Sequence, residues 1–197
     1  MMLEKIGTNL PQVIHIMGAS GSGTSTLARA LENTTGLYKW IDLDDISWMP
    51  TNPPYQFDRP ANQRATLLGE ALDQHPHCVM AGDMCSWGDL FIPQLDLVVW
   101  LQVPTDVRLE RLKQREAQDF GVRILPGGDM HQNFINFLAN SAQYDTGNTT
   151  YRTYTKQEQW VRGLSCPVMI WTEQCQQMNW WLWFVADRNL SNDLWVI

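Results

Sequence analysis

The chain is short of basic residues, of cysteines and of long apolar runs, and each shortage removes a class of function. Fourteen Lys and Arg stand against 21 Asp and Glu, a net charge of −7, with no basic cluster. Nucleic-acid and anionic-membrane surfaces begin with phosphate neutralisation by a basic patch, so neither is expected here, and any anion site must be local. The four cysteines, Cys78, Cys85, Cys166 and Cys175, form no CxxC pair and have no histidine at ligand spacing. They read as reduced thiols. The longest apolar stretch, Trp180 to Ala186, falls far short of the roughly 20 residues a membrane helix needs. Met1 to Leu10 carries Glu4 where a signal peptide would have its apolar core, so a cytoplasmic location is expected. What the chain does have is 197 residues, 44% of them hydrophobic. That is enough for one domain to bury about 70% of its unfolded surface without disulfides or a structural metal.

Short apolar runs at 12–17, 38–43, 77–81, 95–101 and 167–172 predict five strands. Helical patterns at about 24–34, 60–74, 104–118 and 130–143 separate them. Strands joined through helices pair in parallel, which makes the class α/β, a three-layer sheet covered on both faces. Pro60 and Pro104 mark two helix starts. The loop SWMPTNPPYQFD carries Pro50, Pro53 and Pro54, and GVRILPGGDM (121–130) has the composition of a hinged segment.

The most specific signal is Gly18-Ala-Ser-Gly-Ser-Gly23-Thr24-Ser25. It fits the phosphate-binding pattern GxxxxGK[ST], except that Thr24 stands where the lysine belongs. A strand precedes it and a helix follows, so successive N–H groups and a helix N-terminus point into one concavity suited to polyphosphate. Gly18, Ser20, Gly21, Ser22, Gly23, Thr24, Ser25 and Thr26 are the candidate nucleotide-binding residues, and the Ser25 hydroxyl the candidate Mg²⁺ ligand. A Gly-rich turn after a strand can also be a plain tight turn.

Together with IDLDDISW, GDMCSWGD, RILPGGDM and CPV, this motif resembles the small P-loop kinases, the adenylate, cytidylate, shikimate and gluconate kinase superfamily. Within it the chain looks most like bacterial adenylate-kinase-like P-loop proteins. The likeness spans about residues 12–172. It implies a five-stranded parallel sheet of order 2-3-1-4-5, a substrate-binding insertion at about 46–75 and a lid at about 119–130. It also implies ATP or another NTP with Mg²⁺, and a small-molecule acceptor. The Asp42/Asp44 spacing is similar to that of shikimate kinases, which implies a metal-side role for Asp42 and an acceptor-holding or base role for Asp44. Carboxylates suit both tasks, although three acids at a strand end also suit a solvated turn. Asp83, closing strand three, is the further candidate metal acid. Trp48, Tyr55 and Trp87 are candidates to shape the acceptor pocket.

Arg108, Arg111 and Arg115 recur at i, i+3 and i+7, within about 60° on one helix face. The expectation is that Arg111 and Arg115 clamp the transferring phosphoryl group and replace the absent lysine, against the alternative of a solvated face paired with Glu110 and Glu116. Arg123, in the lid, is a further candidate at the substrate. His15 is expected in the core. The tail, about 178–197, holds Trp180, Trp181, Trp183 and Trp195. It is expected either to pack back as a helix or to form a homodimer surface. Two functions lead, a kinase moving the γ-phosphoryl of ATP to a hydroxyl or phosphate acceptor and a non-catalytic nucleotide sensor, ahead of NTP hydrolysis without a separate acceptor or a function outside nucleotides.

Overall fold

A computed structural model describes residues 10–147, 152–172 and 194–196. Its strands are β1 (Val13–Gly18), β2 (Lys39–Asp42), β3 (Cys78–Ala81), β4 (Leu97–Gln102), β5 (Val168–Thr172) and β6 (Leu194–Val196). Its α-helices are α1 (Thr24–Thr35), α2 (Leu43–Ser47), α3 (Ala61–Gln74), α4 (Thr105–Phe120), α5 (His131–Ala142) and α6 (Tyr154–Arg162). Short 3₁₀ turns span Asp89–Gln94 and Gly121–Ile124.

The first five strands stand in the expected order, 2-3-1-4-5, all parallel. A sixth strand extends this sheet at its edge: β6 pairs in parallel with β5, Val168 opposite Leu194. Part of the tail is therefore extended rather than helical. Leu-Trp-Val has the β-branched and aromatic character that suits a strand, and pairing satisfies the free edge of β5. The four tail tryptophans offered as an interface lie outside the residues whose side chains are described.

The strands are apolar on both faces because helices cover both. Ile14, Ile16, Val79, Ala81, Leu97 and Val99 pack on Ala28, Leu31 and Leu27 of α1. On the opposite face Met17, Met80, Val98, Trp100 and Ile170 pack on Leu68 and Leu72 of α3 and Val161 of α6. Pro60 and Pro104 each sit one residue before their helix, where a missing N–H costs nothing. The segment expected as a loop at 121–130 begins with the 3₁₀ turn, after α4 runs on to Phe120. No helix among the described residues is long and apolar enough to cross a membrane. Parallel pairing brings the carboxyl ends of β1, β2 and β3 to one edge, where Gly18, Asp42 and Asp83 gather.

Candidate active site

The loop after β1 is held from behind and open in front. A Cβ on Gly18 would lie 2.7 Å from the Leu101 carbonyl oxygen, and one on Gly21 2.6 Å from that of Arg108, so the loop rests directly on β4 and α4. Ser22 N–H closes the turn onto the Ala19 carbonyl at 3.1 Å. Gly23, at φ 97°, caps α1, and a Cβ there would meet nothing within 4 Å. Leu27 N–H is the first of α1 to find a backbone carbonyl, that of Gly23 at 3.0 Å. Among the described residues, the N–H groups of Gly23, Thr24, Ser25 and Thr26 have no backbone acceptor. The Ser22 hydroxyl is buried without a partner. Unsatisfied donors at the positive end of a helix dipole, facing open space, form an anion cradle.

Beside the cradle lies Asp83, two residues beyond β3. Its Oδ1 accepts from Gln157 Nε2 at 3.0 Å, and its Oδ2 lies 3.5 Å from Arg152 Nε. Arg152 Nη1 donates to the Gly18 carbonyl at 3.3 Å, and Gln157 Nε2 approaches the same oxygen at 3.3 Å. Gln157 Oε1 accepts from Tyr144 Oη at 2.6 Å and from Trp100 Nε1 at 3.1 Å. One fully buried amide thus ties the loop and Asp83 to the sheet. Burial pulls the Arg152 pKa down, but Asp83 and then Asp44 outweigh it and hold it above its ordinary value. His15, packed edge-on against Trp160, is driven to about 4 by burial, with Asp83 opposing. It is a neutral core residue, as expected. Trp87 donates to the Asp83 carbonyl at 3.1 Å and lies under Arg64.

At the end of β2, Asp42 Oδ1 accepts from Asp44 N–H at 3.0 Å and caps α2. Burial, more than the neighbouring Asp44 and Asp45, lifts its carboxyl to about 6. A carboxyl raised in the fold is stabilising when protonated, so the protein should lose stability as pH rises from about 4 to about 6. Without added metal, Asp42→Asn, which keeps the cap, should match the wild type near pH 4. At pH 7.5 it should be more stable by about 1–2 kcal/mol once solvent screening is allowed for. Urea unfolding at the two pH values checks this, and equal differences at both would refute it.

Asp44 is exposed. Tyr55, at φ 61° in the proline-rich loop, meets Trp48 edge to face with ring centroids 5.8 Å apart. Burial raises its hydroxyl, and Asp44, Arg115, Asp42 and Glu116 all act on it. The β2 acids, the loop and α4 therefore face one another.

The arginine stripe does not survive as a unit. Arg108 is 1% exposed, donating to the carbonyls of Val103 (2.9 Å) and Ser141 (3.3 Å) and pairing with Asp145 at 2.9 Å. It fastens α4 to the chain after α5, because helical spacing sets an angle and not which face is buried. Arg115 pairs with Glu116 at 2.7 Å, the alternative weighed above, and Arg111 has no ion pair among the described residues. Arg123 is held at 2.7 Å by Asp129 and donates to Asn52 Oδ1 at 3.2 Å, joining the expected lid to the insertion. Arg152 and Gln157 were not singled out in the sequence. Their only local signal is Thr153, which caps α6 through Lys156 N–H. A cleft of about 500 Å³ opens beside the loop between Ala19, Val103, Pro104, Tyr144, Tyr154 and Thr172.

Residues 14–125 match a family described as an AAA domain. The chain belongs to this family. It is a small P-loop kinase-like protein. It is 36% identical over 162 residues, 82% of the chain and 89% of the relative, to the uncharacterized protein YqaC of Bacillus subtilis (strain 168). It is 28% identical over 125 residues, 55% of the chain and 64% of the relative, to a cytidylate kinase of Archaeoglobus fulgidus. A shikimate kinase structure from Bacteroides thetaiotaomicron superimposes with a TM-score of 0.47 at 16% identity, covering 89% of this chain and 94% of that one.

Proposed function

We propose that this AAA-domain protein is an ATP-dependent kinase of a small molecule, and that the observation carrying this reading is the open row of unsatisfied N–H groups from Gly23 to Thr26 beside Asp83. The phosphates lie in that cradle, along Gly18 and Ser20 to Thr26, and the nucleoside end in the 500 Å³ cleft. Among the described residues no group of three or more His, Cys, Asp and Glu could hold a metal by itself. This suits Mg²⁺, which takes one or two protein ligands and completes its shell with phosphate and water. Ser25 and Asp83 are the ligands the chain offers, with Asp42 available through the oxygen not used as a cap. Bound there, the ion would offset phosphate charge.

The acceptor lies between Asp44, Trp48, Tyr55 and Trp87, under Arg123. Its hydroxyl oxygen bonds to the γ-phosphorus as the bond to the β–γ bridging oxygen breaks. ADP leaves with that electron pair, and the hydroxyl proton passes to Asp44. Arg115, whose charge acts on Tyr55, would steady the transferring group by leaving Glu116, and Arg111 by reaching in from the same helix. The 119–130 segment acts as the lid and gains hydrogen-exchange protection when nucleotide binds.

Thr24 favours a second reading, a nucleotide sensor without transfer. A thermal-shift panel of nucleotides followed by transfer from γ-labelled ATP to a metabolite library separates the two. The kinase reading expects a labelled product. It also expects a loss of about 100-fold or more in Asp44→Asn with nucleotide affinity unchanged. Binding with transfer to nothing would favour the sensor.

A further inference from the structure

We propose that Arg152 supplies, from a separate segment of the chain, the positive charge that Thr24 cannot, and that it grips the β and γ phosphates of the bound nucleotide. This rests on the nucleotide reading above. The β and γ phosphates carry most of a triphosphate's charge, and backbone N–H dipoles compensate only part of it. In most loops of this pattern a lysine completes the balance. Thr24 offers a hydroxyl, so a cation must come from elsewhere.

Most of the arginines near the site are engaged. Arg64 is paired with Asp58, Arg115 with Glu116 and Arg123 with Asp129, while Arg108 is sealed among carbonyls. Among the described residues Arg111 has no ion pair, and no hydrogen bond ties it to the loop. Arg152 already lies against the loop through the Gly18 carbonyl, and about a quarter of its side chain (26%) remains accessible. A guanidinium has five donors, and here one makes the 3.3 Å bond to Gly18 while Nε stands 3.5 Å from Asp83, too far for a tight pair.

Gln157 makes the transfer of that group feasible. Its Nε2 serves both the Gly18 carbonyl and Asp83 Oδ1. Arg152 can therefore swing from the Gly18 carbonyl and Asp83 Oδ2 onto phosphate oxygens, leaving the carbonyl and Asp83 Oδ1 bonded to Gln157 and Oδ2, on a side chain 19% exposed, within reach of water. Its planar fork can meet two phosphate oxygens at once, which a lysine in the loop could not.

The test is calorimetric binding of Mg·ATP and of inorganic tripolyphosphate, which has the charge and no base. Arg152→Ala should weaken both by about 30-fold or more. Adding Thr24→Lys to that variant should restore affinity to within a few-fold, an outcome that a merely structural role for Arg152 would not produce. Arg152→Gln, which keeps a donor for Gly18 but no charge, should be as weak as Arg152→Ala, and it carries the test if the alanine variant fails to fold. Wild-type affinity in Arg152→Gln, or no recovery on adding Thr24→Lys to a folded variant, would overturn the proposal. If the wild type itself binds neither probe, the nucleotide reading falls first and this one with it.

Discussion

Gly23→Val is expected to lose nucleoside-triphosphate binding by about 100-fold or more while the protein still folds. Gly23 occupies the left-handed region at φ 97°, and a side chain built there meets no protein atom within 4 Å. Two consequences follow. The backbone strain of a non-glycine residue there costs about 1–2 kcal/mol, somewhat more for a β-branched one, which a domain of this size tolerates. The added methyl groups project into the mouth of the cradle, the space a phosphate needs for close approach to the N–H groups. Gly36 separates the two effects. It caps the other end of α1 at φ 61°, also with nothing within 4 Å of a Cβ. Gly36→Val should therefore show a comparable drop in melting temperature and unchanged binding. Calorimetry with Mg·ATP on the two variants decides, and retained affinity in a folded Gly23→Val protein would remove the loop from nucleotide binding.

Gln157→Leu should be the most destabilising single change around the site, by about 3–5 kcal/mol. Leucine fills nearly the same volume, so packing is largely kept and the loss is polar. Trp100 Nε1 and Tyr144 Oη lose their common acceptor, and Asp83 Oδ1 loses its 3.0 Å donor. Each buried group left without a partner costs about 1–3 kcal/mol, and neighbouring costs are not strictly additive. At about 2–4 °C per kcal/mol for a chain of this length, the melting temperature should fall by roughly 10 °C. Urea unfolding is the direct measure, and a loss below about 1 kcal/mol would mean that the amide network is not what fastens the loop to the sheet.

How far this architecture could be read beforehand depends on the range of each signal. The five strands were legible because a strand covered on both faces is an unbroken apolar run, as in VIHIM or LVVWL, and the phosphate loop because its glycines lie within eight residues. Helix α6 was missed because YTKQEQWVR is short and mostly polar, with Gln157 rather than a hydrophobe at its most buried position. Arg152 was missed for a different reason. Its partners, Gly18 and Asp83, lie far off in sequence, and only the return of the chain between α5 and β5 brings it to them. The arginine stripe shows the converse error: periodicity placed Arg108 and Arg115 on one face, yet the fold spent the first on carbonyls and the second on an adjacent glutamate.

The loop between α2 and α3 is closed at its neck. Trp48 bridges Asp58, Met49 N–H bonds the Phe57 carbonyl at 2.9 Å, and the Arg59 side chain bonds the carbonyls of Ile46 (2.8 Å) and Trp48 (2.9 Å). Apart from Arg59, these fastenings are made by backbone atoms, so they are indifferent to which side chains stand between Pro50 and Gln56. The tip is consequently an exchangeable cassette. Its sequence can change without re-engineering the sheet, and on the proposed kinase reading acceptor specificity is to be sought in that stretch.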